Sequence, residues 1–232
     1  MEDNGGWDAS ADAWIASIGQ DGDWTRRTVL DAVMLERAVA AGGRFIDIGC
    51  GEGRFVRMLQ EKGLNGCGID PVPRLLERAR ECDPQGDYRL GKGEQLDFDD
   101  ASFDLSIAYL SLIDIPDFRS AITEMVRITK PGGRLLIANL TGHFSAGRWQ
   151  KGLKSRFVMD HYSEERPSRE RWAGIDVINW HRPLHAYMQA FLAHGLVLTW
   201  FDEPTPLENT SDKHDRYTRV PGFLVMEWQK PI

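Results

Sequence analysis

Cysteine is scarce: Cys50, Cys67 and Cys82 are the only three in 232 residues. An odd, sparse set is no disulfide framework, and no Cys/His spacing suggests zinc, so a metal role is not expected. The cysteines read as small, semi-buried side chains of a protein in a reducing compartment. Long apolar runs are missing too. None approaches the roughly 20 residues of a membrane span. The N-terminal stretch MEDNGGWDASADAW is acidic and has no apolar core, so it does not read as a secretion signal. A cytoplasmic protein is the expectation. Basic charge is in deficit, with 28 Lys and Arg against 35 Asp and Glu, a net −7. That balance argues against broad binding to nucleic acid or to anionic membranes. A loose basic group, Lys151, Lys154, Arg156, Arg166, Arg169 and Arg171, reads as a solvated loop. No internal repeat is present. What remains is a chain sized for one α/β domain, monomeric or homodimeric, acting on a small molecule.

The apolar pattern supplies the elements. A short helix fits 9–18 and a longer one 25–41, with Val29, Leu30, Val33, Met34 and Ala38 on one face and Gly42-Gly43 as its stop. Then short apolar runs alternate with helices. Strands are expected at 44–48, 66–69, 88–90, 103–108 and 134–139, the last entered through a Pro131-Gly132-Gly133 turn. Helices are expected at 54–62, from Pro73, and at 117–129. Such alternation implies βαβ units and a mostly parallel sheet, whose ligands bind beyond the carboxyl ends of the strands. From 140 to 180 the pattern breaks into a segment rich in Arg, Ser, Gly and aromatics, read as an inserted lid with some helix near 146–158. A helix opening at Pro183 and strands at 196–201 and 223–228 close the chain. The divisions are therefore an N-terminal helical cap (1–43), a core (44–139), the lid (140–180) and a C-terminal helix with strands (181–232).

Three motifs carry chemistry. The first, Phe45 to Phe55, is FIDIGCGEGRF. Gly49 and Gly51 permit a sharp strand-to-helix turn and a close approach to a ligand, and the following helix N-terminus offers N–H groups to a carboxylate. A dinucleotide site wants GxGxxG; here the third glycine comes one residue early and Arg54 occupies a position needing a small side chain. Asp47 suits a ligand ammonium better than a pyrophosphate. The second motif is Gly68-Ile69-Asp70, whose carboxylate can accept from both hydroxyls of a ribose or can cap the helix starting at Pro73. The third is GKGEQLDF at 91–98, followed by SFDL at 102–105 and Lys130-Pro131-Gly132-Gly133.

In that order the motifs resemble class I S-adenosylmethionine (SAM)-dependent methyltransferases, nearest the small-molecule group that includes the ubiquinone and menaquinone C-methyltransferases. The resemblance covers 44–139 well. It implies a Rossmann-like, seven-stranded, mostly parallel sheet with the last strand antiparallel, helices on both faces and SAM as cofactor. By position it implies that Asp47, Gly49, Cys50 and Gly51 face the methionine part. Asp70 binds the ribose, and Pro71 and Val72 flank the adenine. The 92–94 stretch meets the adenine edge, and Tyr109 lies near the methionyl amine or the transferring methyl. Where the family often has an acid for the adenine amino group, Lys92 stands, and lysine cannot accept that bond. Gly93 backbone, Glu94 or Gln95 must substitute. Arg26 or Arg27 is a candidate for the methionine carboxylate.

Methyl transfer from a sulfonium needs alignment above all. An acceptor that must lose a proton also needs a base. His143, just past the fifth strand, and Tyr109 are the catalytic candidates, with His181 read as a helix-start residue. The 140–180 segment and the N-terminal helices would roof the substrate pocket, and Phe144, Trp149, Phe157, Tyr162, Trp172 and Trp180 would make it aromatic, which suits a flat or hydrophobic acceptor. Two other readings stay open: an NAD-dependent oxidoreductase, and a SAM-binding protein without catalysis.

Overall fold

The computed structural model describes residues 4–150, 155–207 and 212–232, so Lys151 and Lys154 of the basic group lie outside the described residues. Seven strands form one sheet: β1 (Arg44–Ile48), β2 (Asn65–Asp70), β3 (Asp87–Leu90), β4 (Phe103–Tyr109), β5 (Thr129–Leu140), and the later β10 (Val197–Asp202) and β11 (Phe223–Gln229). Their spatial order is β10-β11-β5-β4-β1-β2-β3. Every neighbouring pair from β3 to β5 is parallel, and the last strand, β11, is antiparallel to both β5 and β10. The expected Rossmann-like sheet is therefore the fold observed. Strand order reverses between β1 and β4, the place where such sheets hold ligands.

Helices cover both faces. Toward one side, β1 presents Ile46 and Ile48, which pack with α5 (Phe118–Ile128) and α7 (Leu184–Leu192) through Phe118, Ile122, Met125 and Phe191. Toward the other, Phe45, Leu105 and Leu136 meet α2 (Asp31–Ala41) and α3 (Arg54–Glu61) through Met34, Ala38, Val56 and Leu59. Burial on both faces explains why the parallel strands read as continuous apolar runs and show no alternation. Pro73 occupies the first turn of α4 (Pro73–Cys82), where its missing N–H is harmless. Asp117 caps α5 by accepting from the Ser120 N–H at 3.1 Å.

Four details differ from the sequence reading. The helix expected at 25–41 begins as a π-helical turn, Arg26–Leu30, before α2. Lys130 to Gly133 does not precede β5 but bulges within it, shifting the register against β4 between Phe103 and Leu105. Among the described residues the lid carries a single helical turn, α6 (Gly142–Ser145). Its body is two hairpins, β6 (Gly147–Gln150) with β7 (Arg156–Met159), and β8 (Arg166–Trp172) with β9 (Ile175–His181). In β9 the buried Ile175 and Val177 alternate with the half-buried Asp176 and Ile178, as a strand requires. Lastly, the polar 202–222 stretch contains α8 (Asp212–Arg219).

The β8–β9 hairpin joins the N-terminus to the core. Ser10 on α1 (Trp7–Ile18) hydrogen-bonds the backbone of Asp176 in both directions, at 3.1 and 3.2 Å. At Gly6 a Cβ would come within 2.4 Å of the Asp176 carbonyl. Arg182, just beyond β9, is 2% exposed and donates to three carbonyls of the loop after β4: Leu112 at 2.7 Å, Ile115 at 2.6 Å and Pro116 at 3.0 Å. Its guanidinium also lies 4.3 Å from the Phe118 ring centroid. Arg182→Met keeps the volume but leaves those carbonyls without donors. At about 1–3 kcal/mol for each unsatisfied buried group, urea denaturation should show a loss of at least about 3 kcal/mol.

Candidate functional site

A cavity of about 500 Å³ opens at the carboxyl ends of β1, β2 and β4. That size suits a ligand with several rings or chains. The turn between β1 and α3 forms its floor. Gly49 has φ 76°, and a Cβ there would meet the Ser111 Cβ at 2.4 Å, so the position admits only glycine. Gly51 has φ 56° and space around it; conformation alone demands glycine there. Ser111 closes the junction by donating to the Ile48 carbonyl at 2.5 Å.

The amides of this turn are already engaged. Gly49 and Cys50 both donate to the Ile69 carbonyl, at 2.8 and 2.9 Å, and Gly53 donates to the Cys50 carbonyl at 3.0 Å. Gly51 donates to Asp70 Oδ2 at 2.8 Å. These four turn amides thus bind the protein itself, which ties the turn to the end of β2. Asp70 takes a second backbone donor, Val72, on Oδ1 at 2.9 Å. It does not cap α4, whose N-cap is Val72 with no side-chain bond. Burial pushes the Asp70 carboxyl up to about 6 against those two stabilising donors.

Asp47 is the sharper anomaly. It is 2% exposed, lines the cavity, and its Oδ1 has no hydrogen-bond partner among the described residues. Burial, then the nearby Asp70 and Glu52 carboxylates, raise it to about 8. A buried carboxylate among like charges is stable only if it holds a proton or meets a cation.

The N-terminal segment forms the wall above. Trp14 donates its indole N–H to Glu52 Oε2 at 2.8 Å, and Asn4 Nδ2 reaches the Pro71 carbonyl at 3.2 Å. Arg26 lines the cavity with its guanidinium 4.8 Å from the Trp14 ring and 5.7 Å from that of Tyr109, and it pairs with Asp23. The Asp23 pair and the two rings together fix its guanidinium on the cavity wall.

Most of the sequence-derived residues meet here. Arg26, Asp47, Gly49, Cys50, Gly51, Asp70, Pro71, Val72, Gly93, Glu94 and Tyr109 line the one cavity, as does Lys92. Gln95 and His143 do not. His143 places Nε2 2.9 Å from the Pro221 carbonyl. His181 is buried between the Ser145 hydroxyl (2.7 Å) and the Tyr162 carbonyl (2.9 Å). Tyr109 donates its hydroxyl to Asp31 Oδ1 at 2.9 Å, and burial with the Asp31 charge holds it protonated well above its ordinary range. Tyr109 thus lines the cavity with its hydroxyl proton engaged by Asp31. The lid aromatics do not line the cavity either. Phe144, Phe157, Tyr217 and Phe223 stack on one another instead, with centroids 5.6–5.9 Å apart. Sequence reading missed Trp7, Trp14 and Asp114 as lining residues. Trp7 and Trp14 lie on α1, so the N-terminal helices do cover the cavity as expected, although sequence reading does not single out these side chains.

Comparison with known proteins follows the geometry. The family model described as "Methyltransferase domain" matches residues 46–137. A malonyl-[acyl-carrier protein] O-methyltransferase of Serratia marcescens is 35% identical over 99 residues, 43% of this chain and 39% of that protein. A demethylmenaquinone methyltransferase of Paenarthrobacter aurescens is 33% identical over 145 residues, 62% of this chain and 54% of that protein. The chain thus spans about half, or less, of the length of these curated relatives. A crystal structure of an S-adenosylmethionine-dependent methyltransferase from Mesorhizobium loti shares the fold with TM-score 0.75 at 24% identity, over 91% of this chain and all of that one.

The Asp47 anomaly predicts a stability signature. Its folded value lies above the ordinary carboxylate range, so in the ligand-free protein it favours folding only while protonated. That contribution is fully present below about pH 4 and is lost as pH rises toward 8. Asp47→Asn should therefore raise the melting temperature of the ligand-free protein, more at pH 8 than at pH 5, in thermal unfolding followed by fluorescence.

Proposed function

We propose that this chain, whose residues 46–137 match the methyltransferase domain family, transfers a methyl group from SAM to a small-molecule acceptor. The observation that carries this is the unpartnered Oδ1 of Asp47 beside the glycine turn. An amino-acid ammonium supplies the cation that this carboxylate needs. Asp70 still has a lone pair on each oxygen for the two ribose hydroxyls, because Gly51 and Val72 use one apiece. Pro71, Val72 and Leu75 offer an apolar slot for the adenine. With Gln95 turned away from the cavity, the Gly93 backbone and Glu94 meet the adenine edge that Lys92 cannot serve. Arg26 takes the methionine carboxylate.

When bound, the donor supplies an electrophilic methyl whose leaving group is a neutral thioether. The chain's part is to hold both partners in line and to exclude water, effects worth roughly 7–11 kcal/mol when geometry is right. Trp14 on Glu52 and Asn4 on Pro71 hold the N-terminal wall in place for that exclusion. The oxidoreductase reading is disfavoured by the same turn. A pyrophosphate needs free backbone amides, and Gly49, Cys50, Gly51 and Gly53 have none to give. It would also lie against the Asp47 carboxyl.

Isothermal titration with SAM, S-adenosylhomocysteine and NADH tests the reading. Micromolar binding of the first two and none of NADH is expected; no SAM binding at millimolar concentration would sink it. Asp70→Ala should weaken SAM about 100-fold or more, since hydrogen bonds to a charged group contribute about 1.5–3 kcal/mol each. Asp70→Asn, which keeps the volume and one acceptor oxygen, should weaken it less. Release of S-adenosylhomocysteine on turnover separates an enzyme from a non-catalytic SAM-binding protein.

A further inference from the structure

Asp114 lies five residues beyond Tyr109, on the loop that follows β4, and lines the cavity. That loop has no regular structure, yet β9 and the residues after it grip it almost residue by residue. Trp180 donates its backbone N–H to the Ile113 carbonyl at 2.6 Å. Arg182 holds the carbonyls of Leu112, Ile115 and Pro116. Asn179 donates its side-chain amide to Asp114 Oδ1 at 2.5 Å. So much rigidity has one polar side chain as its outcome, fixed on the cavity wall.

The other cavity carboxylates have work of their own. Asp70 accepts from two backbone amides, Glu52 accepts from Trp14, and Asp117 caps α5 through Ser120. Asp47 answers the donor's ammonium, and Glu94 lies on the adenine stretch. Elsewhere the protein neutralises structural carboxylates with cations: Asp31 with Arg54, Asp104 with Lys130, Glu227 with Arg37 and Arg134. Asp114 meets neutral donors instead, the Asn179 amide and the neighbouring Trp7 indole. Burial lifts its carboxyl to about 7, with Asp70 on β2 and Arg26 on the π-helical turn as the charged groups facing it. A carboxylate of that strength accepts a proton readily near neutral pH.

We propose that Asp114 is the base that takes the proton of the methyl acceptor, and that the acceptor is therefore a phenol, an alcohol or an amine. The inference rests on the methyl-transfer reading above. In the step, a lone pair of the acceptor oxygen or nitrogen forms the new bond to the methyl carbon. The S–CH3 bond breaks with its electrons remaining on sulfur, which becomes a neutral thioether. The acceptor's O–H or N–H bond breaks, its electrons stay on the heteroatom, and the proton passes to the Asp114 carboxylate. Sulfonium and carboxylate charges cancel. Asn179 and Arg182 are positioning residues.

The test uses the full chain, SAM, and a panel of phenols, alcohols and primary amines, with thiols and carbon acids as comparators, read by S-adenosylhomocysteine release. Turnover is expected for members carrying O–H or N–H. Asp114→Asn should lower kcat at least 100-fold while SAM affinity by titration stays within threefold. The wild-type kcat–pH profile should rise through an apparent pKa near 7, and Asp114→Asn should lose that limb. Asp114→Glu should restore part of the rate, and Asn179→Ala should shift the limb. The proposal is overturned by an unchanged kcat, by SAM affinity falling in step with rate, by turnover confined to thiols or carbon acids, or by no turnover of any phenol, alcohol or amine. Failure of the wild type to bind SAM would instead overturn the reading on which the proposal rests.

Discussion

Everything at this site depends on one unfavourable burial. β1 ends by placing the Asp47 carboxyl out of water, beside Asp70 and Glu52, with one oxygen unpartnered. No fold benefits from that arrangement by itself. It is tolerated because the surrounding sheet is over-determined: β1 is hydrogen-bonded on both sides, by β2 and β4, and packed on both faces. Stability built elsewhere thus holds a local charge ready for a cation, as pre-organised sites generally require.

The glycine turn serves the same end by a route that its motif does not advertise. Its amides bind the chain's own atoms, the Ile69 carbonyl and the Asp70 carboxylate. The turn and the end of β2 are locked as one rigid unit, and the Asp47 and Asp70 carboxyls line the cavity beside it. The sign of the site is therefore negative, suited to a ligand with cationic centres.

The insertion after β5 works from behind. Its aromatics pack against α8 and one another, while β9 and Arg182 fix the loop after β4 and Ser10 ties α1 to the hairpin. Both walls of the cavity, the N-terminal helix and the Asp114 loop, lean on the same hairpin. A change in β9 should be felt on both sides at once, because the hydrogen bonds run through the consecutive stretch from Asp176 to Arg182.

The sequence by itself determined the mostly parallel sheet and the strand-end residues that the fold gathers around one cavity. Alternating apolar runs fix βαβ units, and Gly49, Gly51, Asp47 and Asp70 are local to strand ends, so spacing along the chain suffices to find them. Only the tertiary structure decided what faces them. Trp14 and Asp114 reach the cavity from segments about 38 and 44 residues away from Glu52 and Asp70, and no local pattern encodes such contacts. The same holds for the reassignments: Tyr109 and His143 look like bases in sequence, but Asp31 and Pro221 engage them through distant packing. The two lid hairpins escaped because their strands are half-exposed and charged, which leaves a two-residue period too weak to read before a partner strand is known.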